Sequence, residues 1–271
     1  MLELPASRSG RPALQIASRV ARAAGSIILS AFSSRDKKVT VKGKSNLVTE
    51  ADYLSEQAIL KELKAEFPTC GVLSEESGAT VSDSPFTWVV DPMDGTNNFS
   101  FGIPFFAVNL ALLHRDDVVL AITYDPVRDE LFHALRGQGA FLGDKPLRVS
   151  AKTDLKDALV GFDMGYDMER GSEMLEAARK LWTRVFSFRI MGSGALGLAY
   201  VAAGRLDLYV HRRLYPWDIA PGKLLIEESG GTVSDWEGKP APIQTPAIIA
   251  GNPDLHRECL RKVRTSARGG P

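Results

Sequence analysis

An α+β fold, with helices and sheets stacked in layers, is predicted by two features of the sequence. Residues 107–142 read as four successive strands joined by turn chemistry, which is the pattern of an antiparallel meander. Residues 159–264 then alternate short apolar strands with helical segments, as a mixed sheet covered by helices requires.

The elements follow in order. Ala13 to Phe32 carries apolar residues at helical spacing, with Ile16, Val20, Ala23, Ile27 and Ala31 predicted on one inward face. Lys37–Lys42 alternates and reads as a short strand or hairpin. Glu50 to Phe67 is a second helix with Leu54, Ala58, Leu60, Leu63 and Phe67 inward, stopped by Pro68. Gly71–Ser74 and Thr87–Asp91 are short strands. The meander is Ala107–His114, Val118–Tyr124, Glu130–Leu135 and Gly139–Leu142, with turns at Asp116-Asp117, Asp125-Pro126 and Arg136-Gly137. In the second half, strands are expected at Leu159–Asp163, Phe186–Met191, Leu206–Val210, Thr232–Asp235 and Ile248–Gly251. Helices are expected at Gly171–Trp182, Gly194–Ala203, Trp217–Ser229 and Pro253–Arg264. The ends, Met1–Arg11 and Thr265–Pro271, read as frayed. The natural division falls near Ser150, giving an N-terminal part (12–150) and a C-terminal part (151–265) with a site between them.

Bulk properties exclude several function classes. The 271 residues balance 33 Lys plus Arg against 33 Asp plus Glu, so the basic excess of a general nucleic-acid binder is missing. Two cysteines, Cys70 and Cys259, make a disulfide framework improbable and fit a reducing compartment. No apolar run approaches the roughly 20 residues of a membrane span, and the N-terminus lacks the apolar core of a secretory signal. These readings together predict a cytoplasmic protein with no nucleic-acid or membrane partner.

The chemistry is carried by carboxylates. Val89 and Val90 lead a buried strand up to Asp91; Pro92 should then block the ladder, and Asp94-Gly95 follows in a tight turn. Two carboxylates buried this close repel each other and lose solvation unless a cation lies between them. Mg²⁺, hard and oxygen-seeking, is the natural guest. Taken alone, the same residues could be an ordinary capped turn. Glu75-Glu76 ends another strand and could be a liganding edge or a solvated loop. Asp218 and Asp52 each open a helix and could be caps.

Read together, these segments resemble the inositol monophosphatase family. WVVDPMDGTNNF at 88–99 looks like its first signature and WDIAPGKLLIEESGG at 217–231 like its second. LVTEAD at 47–52, LSEES at 73–77, and GSGAL at 192–196 with AYVAAGRLD at 199–207 match further blocks in the same order, so the likeness runs from about Leu14 to Lys262. The resemblance implies a five-layered αβαβα sandwich, a homodimer, and a lithium-sensitive phosphatase that uses two or three Mg²⁺ ions on a small phosphorylated metabolite. It implies a first ion on Glu75, Asp91 and the Met93 carbonyl. A second lies on Asp91, Asp94 and Asp218, and a weaker third near Glu75 and Glu76. Thr96 and Asp52 would aim the attacking water, with Glu75 also counted among the catalytic groups. Gly95 and Thr96 would offer backbone N–H groups to the phosphate, and Ser193, Gly194 and Ala195 would line the alcohol side beside Asp218. Ser193 also reads as a helix cap, with Gly194 allowing close packing.

The sequence departs from the inositol-specific pattern at His211, where such members usually carry Glu. Glu accepts hydrogen bonds from sugar hydroxyls, whereas neutral His can accept only one. Arg212 and Arg213 follow, so a basic rim that prefers a second negative group, as in a sugar bisphosphate, is one reading; solvated surface arginines are the other. Trp88 and Trp217 read as packing supports, and His114, His133 and His256 carry no expected chemistry. Fructose-1,6-bisphosphatase, histidinol-phosphatase, 3′-phosphoadenosine nucleotide or NADP⁺ phosphatase activities share the same site logic, because fold does not set the substrate. A non-catalytic binding or regulatory protein is the remaining class. A degenerate member of that kind should have lost liganding acids, and here they are all present.

Overall fold

A computed structural model describes residues 3–34, 39–43 and 46–264. Helix α1 spans Ala13–Phe32, followed by β1 (Val39–Gly43), β2 (Asn46–Thr49), α2 (Glu50–Glu66), β3 (Gly71–Ser74), β4 (Gly78–Thr80), β5 (Phe86–Asp94) and the short α3 (Thr96–Ser100). The meander is β6 (Ala107–His114), β7 (Asp117–Asp125), β8 (Glu130–Leu135) and β9 (Gly139–Leu142), with a two-residue β10 (Lys145–Pro146). The second half contains β11 (Leu159–Phe162), α4 (Met168–Leu181), β12 (Ser187–Ile190), α5 (Gly194–Ala202), β13 (Leu208–His211), α6 (Pro216–Glu228), β14 (Thr232–Ser234), β15 (Ile248–Gly251) and α7 (Pro253–Arg264).

Among the described residues, one large sheet has the order β10-β9-β8-β7-β6-β5-β3-β4 and a smaller one β12-β11-β13-β15-β14. The large sheet is antiparallel except for β3 against β5. The smaller sheet is mixed, with β11 parallel to both neighbours and β13, β15 and β14 antiparallel. Three apolar clusters glue five layers. Ile16, Val20 and Ile28 of α1 and Ile59 of α2 pack on Trp88, Leu110 and Ile122 of the large sheet. Leu198 of α5 and Leu224 and Ile226 of α6 lie between Ala111 and Phe132 of the large sheet and Tyr209 and Ile248 of the smaller one. Met174 of α4 and Leu255 of α7 cover the far face of the smaller sheet. This is the expected αβαβα sandwich.

Four local expectations are corrected. The N-terminal segment from Glu3 onward is not loose: Arg8 N donates to Glu66 O (2.9 Å) and Ser9 N to Glu66 Oε2 (3.1 Å), tying it to the end of α2. The other predicted loose end, Thr265–Pro271, lies outside the described residues, as do Lys37 and Lys38 of the predicted first strand. Helix α1 is rotated relative to the predicted face: Ile16, Val20, Ala24 and Ile28 are buried while Ala23 is exposed. It has no side-chain cap, a loss of about 1 kcal/mol that its buried stripe outweighs several-fold. On α2, Leu54 faces out, 46% exposed, and the inner face carries Asp52, Ser55 and Glu56. Hydropathy misreads this helix because its buried side is polar and feeds the site. Pro92 does not end its strand either. The ladder runs to Asp91↔Asn109, breaks, and resumes at Asp94↔Ala107, so the proline sits in a bulge that re-aims the two aspartates. Strands β2, β4 and β10 carry too few residues to show a period.

Candidate active site

The site lies in a cleft of about 680 Å³ formed where β5 and α3, the loop after β3, the loop after β11, and the N-terminal ends of α5 and α6 meet. Asp91, Asp94 and Asp218, from two distant stretches, each bring a carboxylate oxygen to within 4.8 Å of the others. The bulge at Pro92 aims the first two. Asp91 is fully buried, accepting from Met93 N (3.0 Å) and Asn109 Nδ2 (3.1 Å). Asp94 accepts from the Ser193 hydroxyl and from Ala195 N (2.9 Å). Asp218 is not the N-cap of α6 but its third residue, where it accepts from Tyr215 N (2.8 Å).

Burial is the largest influence holding all three carboxyls above their ordinary range. Asp91 and Asp218 are raised further by neighbouring acids, Glu75 among them. Among the described residues lining the cleft, Arg213 is the one basic side chain, and it pairs with Asp167 at 3.5 Å. A set of close, oxygen-only donors with no neutralising side chain among the described cleft residues fits a hard divalent cation such as Mg²⁺. Glu75 lines the same cleft, as does Met93, whose carbonyl accepts from Thr96 Oγ1 (3.1 Å).

Gly95 opens α3 with φ of 96°, and a Cβ there would sit 3.0 Å from Phe105 O, so this turn needs glycine. Directly after it, Thr96 Oγ1 reaches Asp52 Oδ1 at 3.0 Å. Asp52 stands at the third position of α2, where its other oxygen accepts from Thr49 N (2.7 Å) and Thr49 Oγ1 (2.6 Å). Burial pushes its carboxyl up to about 6 against these donors. Ser193 caps α5 through Leu196 N (3.3 Å) while donating to Asp94, so its hydroxyl is fully engaged. A Cβ on Gly194 would lie 2.9 Å from Leu214, the close packing expected of that glycine.

His211 lines the cleft and is 2% exposed. Arg213 lines it too, but Arg212 does not: its guanidinium lies 3.7 Å from the centroid of the Trp236 ring, so among the described residues the basic rim is a single arginine. Trp88 is a buried support beside Phe67, and Trp217 packs against the central cluster as expected while also lining the cleft and stacking on Tyr215.

Sequence reasoning missed several supporting groups. Glu56 is buried under the Glu75–Glu76 loop and its Oε1 accepts from the Ser74 hydroxyl, Glu76 N (3.2 Å) and Ser77 N (3.1 Å). Asp163 accepts from Met191 N (3.0 Å), Gly192 N (2.6 Å) and Tyr209 Oη (2.7 Å), and burial raises its carboxyl to about 6. For Asp163 an acid just past an apolar strand was the available signal; Glu56, on the polar inner face of α2, offered none.

Known proteins resemble this chain over nearly its whole length. The profile of the inositol monophosphatase family matches residues 10–268. Nus factor SuhB of Pasteurella multocida is 39% identical over 256 residues, covering 93% of this chain and 96% of that protein. Inositol-1-monophosphatase of Mesorhizobium japonicum is 42% identical over 230 residues, covering 84% and 86%. Among solved structures, the extragenic suppressor protein suhB of Bartonella henselae superposes with a TM-score of 0.90 at 37% identity, covering 93% of this chain and 98% of that one. The Thermotoga maritima IMPase gives 0.85 at 30% identity, covering 93% and 96%. No helix among the described residues is long and apolar enough to cross a membrane. With its match running almost end to end, the chain belongs to the inositol monophosphatase family.

Proposed function

We propose that this protein is a Mg²⁺-dependent phosphomonoesterase acting on inositol monophosphate or a related small sugar phosphate. The observation that carries the reading is the convergence of Asp91, Asp94 and Asp218 in one cleft beside the Thr96–Asp52 pair. Glu75, Asp91 and the Met93 carbonyl would hold one ion, and Asp91, Asp94 and Asp218 a second. Bound there, Mg²⁺ supplies charge neutralisation of the phosphate dianion and activation of a water.

The chain's own residues do the positioning. The single proton of Thr96 Oγ1 is directed at Asp52 and the Met93 carbonyl, leaving the hydroxyl oxygen as an acceptor for a water. Asp52 cannot swing away, because Thr49 holds its second oxygen. A water hydrogen-bonded to Thr96 is thereby aimed in line with a phosphorus whose oxygens meet the N–H groups of Gly95 and Thr96. Asp218 and Gly194 would face the leaving alcohol. The division near Ser150, a homodimeric state, a cytoplasmic location and lithium sensitivity belong to the same reading.

The relatives called Nus factor SuhB favour one other role for this chain, that of a Nus factor, with or without catalysis. Phosphate release from about 30 phosphorylated metabolites, with EDTA and Li⁺ controls, tests the catalytic reading itself, whether or not the chain has the other role as well. Mg²⁺-dependent turnover that EDTA abolishes supports the phosphatase, and no release from any substrate refutes it.

A further inference from the structure

His211 has one ring nitrogen committed and one free. Nδ1 accepts the backbone N–H of Arg213 at 2.9 Å, which places the ring proton on Nε2. Nε2 has no partner among the described residues, although the side chain is 2% exposed and the residue lines the cleft. With no protein acceptor, that N–H is left to donate to a ligand or water in the cleft. The ring cannot turn to offer an acceptor without losing the Arg213 N–H, and it lies nearly parallel to Tyr209, at 18° with centroids 6.2 Å apart. Burial alone lowers its titration to about 3, so it stays a neutral donor at ordinary pH.

Arg213 lies on the same stretch and lines the cleft, where its guanidinium pairs with Asp167 at 3.5 Å. Asp167 is itself occupied as the N-cap of α4, accepting from Glu169 N and Arg170 N at 3.1 Å. Asp163, the other acid of this wall, accepts three protein hydrogen bonds. This part of the cleft lining therefore offers a neutral donor and a cation, and Asp163 and Asp167 have partners of their own.

We propose that the Nε2–H of His211, with Arg213 beside it, selects phosphate esters that carry a second anionic oxygen group, a phosphate or a carboxylate, on the alcohol side. This rests on the phosphatase reading for the identity of the first phosphate. A neutral polyol would need acceptors from this wall as well as donors, and His211 provides none.

Long-range ¹H–¹⁵N NMR of the full-length protein at pH 7 reads the tautomer without any turnover. A protonated Nε2 with a bare Nδ1 is expected; a protonated Nδ1 or a doubly protonated ring overturns the proposal. The second arm compares kcat/KM for fructose 1,6-bisphosphate, 3-phosphoglycerate and inositol 1-phosphate. His211→Glu and Arg213→Ala should each shift the ratio toward inositol phosphate by about tenfold or more, the value of a hydrogen bond to a charged group. His211→Gln, which keeps a donor, should retain most of the wild-type ratio. The bisphosphate and the phosphoglycerate tell a phosphate from a carboxylate. Folded variants, checked by thermal melting, whose ratios do not move overturn the assignment. Calorimetric binding of the three compounds with Ca²⁺ gives the same ratios independently. Absent turnover with the expected binding ratios would break the phosphatase reading alone, and equal binding would break this one.

Discussion

Thr96 Oγ1 lies 3.0 Å from Asp52 Oδ1 and so joins, at the edge of the cleft, two stretches 44 residues apart. The bond aims the hydroxyl's one proton and leaves its lone pairs to a water. Thr96→Ala should therefore lower kcat by about 100-fold with little change in KM, within the usual range for a lost positioning or proton-handling group. Thr96→Ser should recover most of the rate. Steady-state kinetics on one phosphate ester decides, and an equal loss in both variants would count against the role.

The aspartate cluster stores repulsion when no cation is bound. Its carboxyls sit above their unfolded values, so the native state holds more protons than the unfolded chain and stability falls as pH rises through that window. Divalent ions should reverse this. In metal-free protein, Asp91→Asn is expected to raise the melting temperature, while abolishing activity and the further rise that wild type shows on adding Mg²⁺. Differential scanning calorimetry with EDTA and with Mg²⁺ reads both effects.

Glu56 supports Glu75 from below, through Ser74, Glu76 and Ser77. Removing that support loosens a candidate ligand without touching it. Glu56→Ala should raise the Mg²⁺ concentration for half-maximal activity by about tenfold or more, as loss of an outer-shell partner typically does. A Mg²⁺ titration of activity checks this, and an unchanged midpoint would show that the loop is held by other contacts.

His211 makes a pH prediction with the opposite sign to the aspartates. Burial lowers its titration to about 3, while the unfolded imidazole titrates near 6.5. Between those values the unfolded chain binds a proton that the native one refuses, so stability is present above about 6.5 and is lost as pH falls. At pH 4.5 the cost is about 2–3 kcal/mol. Urea unfolding at pH 7 and pH 4.5 should show wild type losing that much more than His211→Gln.

Much of this architecture could be read from the chain. The meander from Ala107 to Leu142 shows apolar runs separated by explicit turn residues, and its strands, the central two buried on both faces, lie where those turns place them. The acid-rich segments mark the site for the same reason: carboxylates at strand and helix ends in apolar surroundings have few other uses. The inner face of α2 was not legible, because Asp52, Ser55 and Glu56 are buried for the sake of the site and invert the hydropathy pattern. The bulge at Pro92 is indistinguishable in sequence from a strand end, since a missing donor looks the same in both cases. That Arg212 leaves the rim for Trp236, while Arg213 stays, depends on a residue 24 positions away and no local period could show it.

Anomalous scattering from crystals grown with Mn²⁺, used in place of Mg²⁺, tests the central claim most directly. Peaks bridged by the Asp91 carboxylate, with one also contacted by Asp94 and Asp218, are predicted. A map in which the cleft carries no peak at saturating Mn²⁺, or in which the ions sit away from these three aspartates, would contradict it.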